Sequence, residues 1–169
     1  MDEKVLVTYA STHGSTQEIA EVVAEVLHER GLSVDLQPVR TVKDLTKYNA
    51  VVLGAPMYMF RLHSDAKRFL TKHRNVLENG VPVSIFSGGP MEEGKEEQWD
   101  EVRVQLEKEL AKFPWLKPAS IEIVGGRFDP TNLRFPWKFI PALKQMPPTD
   151  LRDWVAIRAW AGGLAEQFA

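Results

Sequence analysis

Cysteine is absent from this chain of 169 residues. Its absence excludes disulfides, thiolate metal sites, iron–sulfur clusters and a cysteine nucleophile. The four histidines are scattered without zinc-binding spacing, so we expect no metal site. A chain without cysteine is compatible with a reducing compartment, and we expect a cytoplasmic protein, with attachment to the inner face of the membrane left open.

The sequence also lacks an excess of charge of either sign. It has 21 basic and 23 acidic residues and a net charge of -2. A nucleic-acid-binding domain normally carries a basic excess, so we expect no nucleic-acid partner. Strong acidity, which electron carriers often use to steer their partners electrostatically, is missing as well.

Long hydrophobic runs are missing too. No segment approaches the roughly 18 apolar residues that a membrane-spanning helix needs. Residues 1–4 are mostly charged and lead directly into an apolar strand, so we expect no signal peptide. The length suits one domain with one core, and we expect a single domain over residues 1–169.

Two kinds of apolar pattern alternate along the chain. Short β-branched or alternating runs predict strands at 5–9, 32–38, 50–53, 81–86 and 120–124. Helical spacing predicts helices at 15–30, 64–72, 95–112 and 150–168, with Ser64 capping the second of them. This alternation predicts an α/β fold, a three-layer sandwich around a five-stranded parallel sheet. Five strands favour the flavodoxin-like order 2-1-3-4-5.

Ligands of such sheets bind beyond the carboxyl ends of the strands, where the strand order reverses. In the order 2-1-3-4-5 this point lies between strands 1 and 3. We therefore expect the functional loops to be those that follow Tyr9, Leu53 and Phe86.

The loop after the first strand is rich in hydroxyl groups. Its residues are Ser11, Thr12, His13, Gly14, Ser15 and Thr16. The hydroxyls can donate to phosphate oxygens, and the glycine lets the backbone fold closely around a ligand. The predicted helix begins at the same point, so its free N–H groups and positive dipole end face that ligand. A polar turn that merely caps the helix is the alternative interpretation.

Neither Lys nor Arg occurs in this loop. A P-loop requires a Lys-Ser/Thr pair after its second glycine, and a dinucleotide fingerprint requires three spaced glycines. Both are absent, because Gly14 is the loop's single glycine. The remaining kind of site is one that holds a monophosphate with uncharged donors, and FMN is the common ligand of such a site.

The run from Tyr9 to Thr16 resembles the phosphate signature of flavodoxins: an aromatic, a spacer, Ser or Thr, two residues, a small residue, a spacer and Thr. Thr8 departs from it, because an apolar residue usually precedes the aromatic. More narrowly, the chain resembles the protoporphyrinogen dehydrogenase branch of flavodoxin-domain proteins. The stretches behind this resemblance are Gly54-Ala55-Pro56, His63-Ser64 and Gly125-Gly126-Arg127, followed by an aromatic-basic insert.

The flavodoxin resemblance implies bound FMN and a redox function. The narrower one implies an FMN-dependent dehydrogenase that passes electrons from protoporphyrinogen to a quinone. Two alternatives stay open: an electron carrier without its own substrate, and an FMN-dependent NAD(P)H:quinone reductase. No side chain stands out as a catalytic acid or base, and the oligomeric state stays open.

Two further loops are expected to hold the flavin. After strand 3 they comprise Ala55, Pro56, Met57, Tyr58, Met59 and Phe60, and after strand 4 Ser87, Gly88, Gly89 and Pro90. Tyr58 or Phe60 is expected to lie against the ring, since aromatic stacking suits a flat π system. The second loop offers backbone donors but no aromatic residue, which would leave one ring face open to a substrate.

The chemistry of the loop after strand 3 favours two-electron transfer. It has no glycine between Met57 and His63, and it carries Arg61 and His63 rather than carboxylates, with the charge of the histidine left open. A cation near the ring favours the anionic reduced flavin.

The insert, residues 127–148, mixes aromatic and basic residues with five prolines. It covers the flavin and shapes a substrate pocket, contacts a membrane surface, or packs on its own domain or a second subunit.

Overall fold

Strands and helices alternate along the chain. The structure, a computed structural model, describes residues 4–11, 14–88, 96–125, 127–128, 139, 141 and 149–169. Its strands are β1 (Lys4–Tyr9), β2 (Ser33–Pro38), β3 (Ala50–Gly54), β4 (Met57–Tyr58), β5 (Arg61–Leu62), β6 (Val83–Gly88), β7 (Ser120–Val124), β8 (Arg127–Phe128) and β9 (Thr149–Asp150). Its helices are α1 (Ser15–Glu29), α2 (Ser64–Lys72), α3 (Arg74–Glu78), α4 (Glu96–Leu110) and α5 (Trp154–Phe168), with a short 3-10 turn at Val39–Thr41.

Five of the strands form one parallel sheet in the order β2-β1-β3-β6-β7. Val5 of β1 is paired with Val34 on one side and with Ala50 on the other. Counted along the sheet strands alone, this is the order 2-1-3-4-5, so the predicted fold class is confirmed. The order reverses between β1 and β3, which puts the predicted binding edge at their carboxyl ends.

Helices cover both faces of the sheet. Because side chains alternate along a strand, Val5 and Val7 pack with α1 and α5, whereas Leu6 packs on the opposite face with α2 and α4. All three side chains are fully buried. Burial of each such aliphatic side chain contributes about 1.5–3 kcal/mol, which is what fixes the sheet between its helical layers.

Strand β6 runs from Val83 to Gly88 rather than over the predicted 81–86. Pro82 has no N–H to donate, so it joins the ladder only through its carbonyl, which accepts from Val51 N at 2.9 Å. At the other end, pairing continues through Ser87 with Ile123 and through Gly88 with Val124. The strand therefore extends further toward the predicted site.

The starts of two helices differ from prediction. His63, not Ser64, caps α2: its side chain accepts from Asp65 N. The last helix begins at Trp154 with Asp153 as its cap, and not at residue 150. Asp150 belongs to β9, which pairs antiparallel with β8. The two ends of the insert thus lie side by side, while most of its length falls outside the described residues.

In the part of the chain that is described, no helix is both long and apolar enough to span a bilayer.

Candidate functional site

The three predicted loops leave the sheet side by side. The N–H of Ala10, at the end of β1, donates to Gly54 O at 2.9 Å, and the N–H of Ala55 donates to Phe86 O at 2.9 Å. The loops after β1, β3 and β6 are therefore joined through hydrogen bonds at one edge of the sheet. The structure brings together the predicted site residues that it describes in these loops.

Gly54 allows the closest contact at this edge. A Cβ atom on Gly54 would lie 2.5 Å from Phe86 Cζ and 2.8 Å from Thr16 Cγ2, both inside van der Waals contact. Glycine is required there because the first turn of α1 packs directly on the end of β3. This contact sets the position of the helix start relative to the loop after β3.

Among the residues that the structure describes, no side chain caps the first turn of α1. Gly14 occupies the N-cap position with φ 86°, a left-handed conformation that favours glycine. The N–H of Gly14 donates to Ser11 Oγ at 2.9 Å, which folds the loop and leaves the serine proton to be donated elsewhere. Because the N-terminal N–H groups of a helix lack acceptors within the helix, this turn is suited to an external anion.

The predicted residues of this loop differ in exposure. Ser15 is half-buried and Thr16 is 7% exposed, with its methyl group against Gly54. Thr12 and His13 lie outside the described residues, so their part in the site stays a prediction.

A buried arginine stands near the first turn of α1, and sequence reasoning did not identify it. Arg152 Nη1 lies 2.8 Å from Glu18 Oε2, and its Nη2 lies 2.7 Å from Asp150 Oδ2. Burial by itself would lower the pKa of Arg152, but its hydrogen bonds to the two carboxylates outweigh burial and raise it. The cation is thus matched by two carboxylates and acts between protein groups. Arg152 and Glu18 are 134 residues apart in the sequence, so no local pattern could have predicted that they pair.

The loop after β3 is a tight hairpin that the sequence did not predict. Strands β4 and β5 pair antiparallel through Tyr58 and Arg61. Met59 and Phe60 form its two-residue turn at φ 51° and 62°, the left-handed geometry in which glycine and asparagine are normally found. Their side chains are 76% and 57% exposed. A turn built from Met and Phe escapes detection because it lacks the usual turn residues.

The surroundings of His63 decide its charge, which the sequence left open. Its Nδ1 accepts a hydrogen bond of 3.1 Å from Asp65 N, and an acceptor nitrogen carries no proton. Burial lowers the pKa of His63 below its ordinary value, and Arg40 lowers it further, while Asp65 raises it. His63 is therefore neutral near pH 7. Arg61 is exposed on the hairpin and leaves one cation in this loop.

Glu109 of α4 binds the backbone of the hairpin through its carboxylate. Its Oε2 accepts from Leu62 N at 3.0 Å, and Lys67 and Lys112 lie against the carboxylate. Burial alone would raise the pKa of Glu109, but the hydrogen bonds from Lys112 and from the Leu62 amide outweigh it and lower the pKa. The sequence showed Glu109 only as one acidic residue of an amphipathic helix.

The loop after β6 begins with an unsatisfied polar group. Ser87 is fully buried, and its Oγ has no hydrogen-bond partner among the described residues. A buried hydroxyl of this kind calls for a partner, which a bound group can supply. The next residue, Gly88, has open space where a Cβ would stand, whereas Gly89 and Pro90 lie outside the described residues.

A separate cavity lies at the outer edge of the sheet. It has a volume of about 370 Å³ and is lined by Trp99, Arg103, Glu122 and Ile157, among others. Burial raises the pKa of Glu122, and Arg103 opposes that change. None of the described residues predicted for the phosphate or ring lines this cavity.

Comparison with known proteins identifies relatives of this chain. The family model described as flavodoxin domain matches residues 6–144. Protoporphyrinogen IX dehydrogenase [quinone] of Escherichia coli strain K12 is 26% identical over 162 residues, which cover 93% of this chain and 88% of the relative. An NAD(P)H dehydrogenase (quinone) of Cupriavidus metallidurans is 33% identical over 100 residues, covering 46% of this chain and 50% of the relative.

Solved structures share the fold. A flavodoxin from the domain Archaea superposes with a TM-score of 0.59 at 13% identity, covering 98% of both chains. Rubredoxin oxygen:oxidoreductase from Desulfovibrio gigas gives a TM-score of 0.60 at 17% identity, covering 98% of this chain and 36% of that one. At these identities the likeness establishes the architecture alone.

Proposed function

Because this chain belongs to the flavodoxin domain family, we propose that it binds FMN where the strand order reverses and acts as an FMN-dependent oxidoreductase that reduces a quinone. A flavin is the cofactor that the family implies. The observation that carries the proposal is the uncapped start of α1, fixed against the end of β3 and beside the loops after β3 and β6.

The phosphate of FMN would be held without a cation. Ser11, Thr12, Ser15 and Thr16 supply hydroxyls, and the first turn of α1 supplies N–H groups and the positive end of the helix dipole. The described part of this turn contains no Lys or Arg, and Arg152 is already matched by carboxylates. The donor set therefore fits a single phosphate ester better than a nucleotide triphosphate.

The ring would lie between the other two loops. Ala55 and Pro56 follow the end of β3 and lead into the hairpin, whose tip carries the exposed ring of Phe60. Tyr58 is half-buried against His63, with ring centroids 5.8 Å apart, so Phe60 is the more available of the two for stacking. Buried Ser87 and the glycine after it offer polar atoms on the opposite side. When bound, FMN supplies hydride or electron transfer at its N5 atom.

The relatives' names support the choice of electron donor and acceptor. The E. coli relative is named for protoporphyrinogen IX and a quinone, and the relative from C. metallidurans is also named for a quinone. We choose protoporphyrinogen as the donor because the relative named for it matches nearly the whole chain. The exposed side chains of Met59 and Phe60 supply apolar surface beside the ring for the pyrrole faces of a large macrocyclic substrate.

A nicotinamide donor is the second candidate. The higher identity to the C. metallidurans relative, 33%, favours it, although that match covers 46% of this chain. Both candidates share a quinone acceptor, so the donor is what an experiment must decide.

The test is anaerobic turnover with FMN-loaded protein. Protoporphyrinogen IX is mixed with the protein and menadione, and porphyrin fluorescence is followed. NADPH replaces the porphyrinogen in a parallel series. We expect porphyrin to form at a rate that depends on both FMN and menadione. If menadione is reduced in the NADPH series and no porphyrin forms in the protoporphyrinogen series, the second candidate is favoured. Reversible reduction by dithionite with neither donor active would instead indicate an electron carrier.

A further inference from the structure

We propose that Glu109 is a positioning residue for the flavin ring, because it clamps the β4–β5 hairpin in a strained conformation against which the ring rests. The inference depends on the proposed FMN site for the ring, but the clamp itself is a property of the protein alone. Glu109 lies 47 residues from the hairpin amide that it binds, on a different helix.

The strain is located at the tip of the hairpin. Both turn residues, Met59 and Phe60, adopt positive φ, although neither is glycine or asparagine. The left-handed conformation costs an L-residue with a bulky side chain about 1–2 kcal/mol. Such a turn persists only where its surroundings hold it, and residues strained in this way concentrate at binding sites.

The hairpin has little stability of its own. Its ladder consists of two residue pairs, Met57 with Leu62 and Tyr58 with Arg61. A short two-stranded hairpin is at best marginally stable in water, so the turn needs support from outside the ladder. The side chain of Leu62 is 2% exposed and packs in the core, which anchors one end of β5.

Glu109 provides the polar part of that support. Its carboxylate, with 8% of the side chain exposed, accepts the Leu62 N–H at 3.0 Å. Lys67 Nζ of α2 lies 3.5 Å from the same oxygen, and Lys112 Nζ contacts the other oxygen. Hydrogen bonds to an ionised acceptor are stronger than neutral ones. The carboxylate thus ties the hairpin to α2 and α4, two of the helices that pack on this face of the sheet.

The consequence for the cofactor is specific to the ring. A loosened hairpin would weaken contacts to the isoalloxazine, which FMN and riboflavin share, and would leave the phosphate turn unchanged. Glu109 substitution should therefore lower the affinity for both flavins by the same factor. The ratio of the FMN affinity to the riboflavin affinity measures what the phosphate contributes to binding. A general loss of structure would change this ratio, whereas a loosened hairpin would leave it unchanged.

The experiment compares Glu109→Gln with Glu107→Gln, an exposed residue on the same helix. Flavin affinities are measured by fluorescence titration, and amide hydrogen exchange at Leu62 is measured in the flavin-free protein. We expect Glu109→Gln to weaken FMN and riboflavin binding about fivefold each, because the amide oxygen can still accept from Leu62 N but no longer carries the charge, and to accelerate exchange at Leu62. The Glu107 variant should match the wild type in both measurements.

Two further variants keep the test decisive. Glu109→Asp retains the charge but shortens the side chain, and should also accelerate exchange at Leu62. In a Met59→Gly background, where the turn no longer carries that residue's strain, Glu109→Gln should accelerate exchange by a smaller factor. Unchanged exchange at Leu62 and unchanged riboflavin affinity in Glu109→Gln would overturn the proposal. A wild-type protein that binds no flavin would overturn the proposed function, while the exchange data would still decide whether the clamp exists.

Discussion

Arg152 donates a hydrogen bond of 2.8 Å to the Glu18 carboxylate and thereby joins the segment before α5 to the first turn of α1. The guanidinium is 4% exposed and also binds Asp150. The chain packs closely here as well, because a Cβ on Gly125 would lie 1.6 Å from Leu151 O. The return of the chain from the insert is thus fixed to the helix that would hold the phosphate.

Replacement of Arg152 by methionine should destabilise the protein. The substitution keeps much of the side-chain volume but removes the hydrogen bonds to Glu18 and Asp150, both about half exposed. Since water can partly replace the lost partner at these carboxylates, we expect a loss of about 2 kcal/mol in the free energy of unfolding. Urea unfolding measures it, with Arg158→Met as control. Arg158 pairs with Glu25 and Glu29 on the surface, and its loss should cost clearly less. Equal losses in both variants would contradict this account.

Gly54→Ala should damage both stability and flavin binding. Its methyl group would clash with the ring of Phe86 and the methyl of Thr16, so the start of α1 must shift. We expect about 1–3 kcal/mol of destabilisation, measured by urea unfolding, together with weaker FMN binding. Gly163→Ala is the matched control. That glycine lies within α5 with nothing near its Cβ position, so alanine there should be neutral or stabilising. A Gly54→Ala protein with wild-type FMN affinity would refute the close approach.

Ser11→Ala should weaken the binding of FMN but not of riboflavin. The hydroxyl shapes the turn by accepting from Gly14 N, and its own proton is available to the phosphate. Loss of one such hydrogen bond corresponds to about 1 kcal/mol, roughly a fivefold weaker FMN affinity. Fluorescence titration with both flavins is the measurement, and Ser33→Ala, at the exposed start of β2, is the control. The same loss for riboflavin would show that Ser11 does not act through the phosphate.

The neutral state of His63 should make stability depend on pH. Burial, more than any other factor, holds the folded pKa of His63 below its ordinary value near 6.5. As the pH falls through that value, the unfolded chain takes up a proton that the folded chain does not, so the free energy of unfolding decreases. The loss ends only below the lower, folded pKa.

His63→Asn tests this dependence, because asparagine can still cap α2 but does not titrate. Unfolding free energies measured between pH 7.5 and roughly 5.5, an interval chosen around the ordinary histidine value, should fall less in the variant than in the wild type. Some dependence should remain, since burial also lowers the pKa of His73. The exposed His28, replaced by asparagine, is the control. Identical slopes in wild type and His63→Asn would rule out the buried neutral histidine.

Local patterns in the sequence were sufficient for the sheet order and for the turn that precedes α1. The stripe of Ile19, Val23 and Leu27 determines which face of α1 is buried, and Gly14 marks the turn before it. These features depend on residues close together in sequence.

Features that depend on distant pairs were not predictable in the same way. Glu109 meets Leu62 and Arg152 meets Glu18 only after the chain has folded, and neither pair has a local signature. The turn at Met59 and Phe60 was missed because its geometry runs against the preferences of both residues. The charge of His63 was left open by the sequence because burial, which decides it, is a tertiary property.

Titration of the purified, flavin-free protein with FMN and with riboflavin tests the central claim most directly. We expect one FMN to bind per chain with quenched flavin fluorescence, and riboflavin to bind more weakly because it lacks the phosphate that the first turn of α1 would hold. A protein that binds neither flavin, or that binds both equally well, would contradict this assignment.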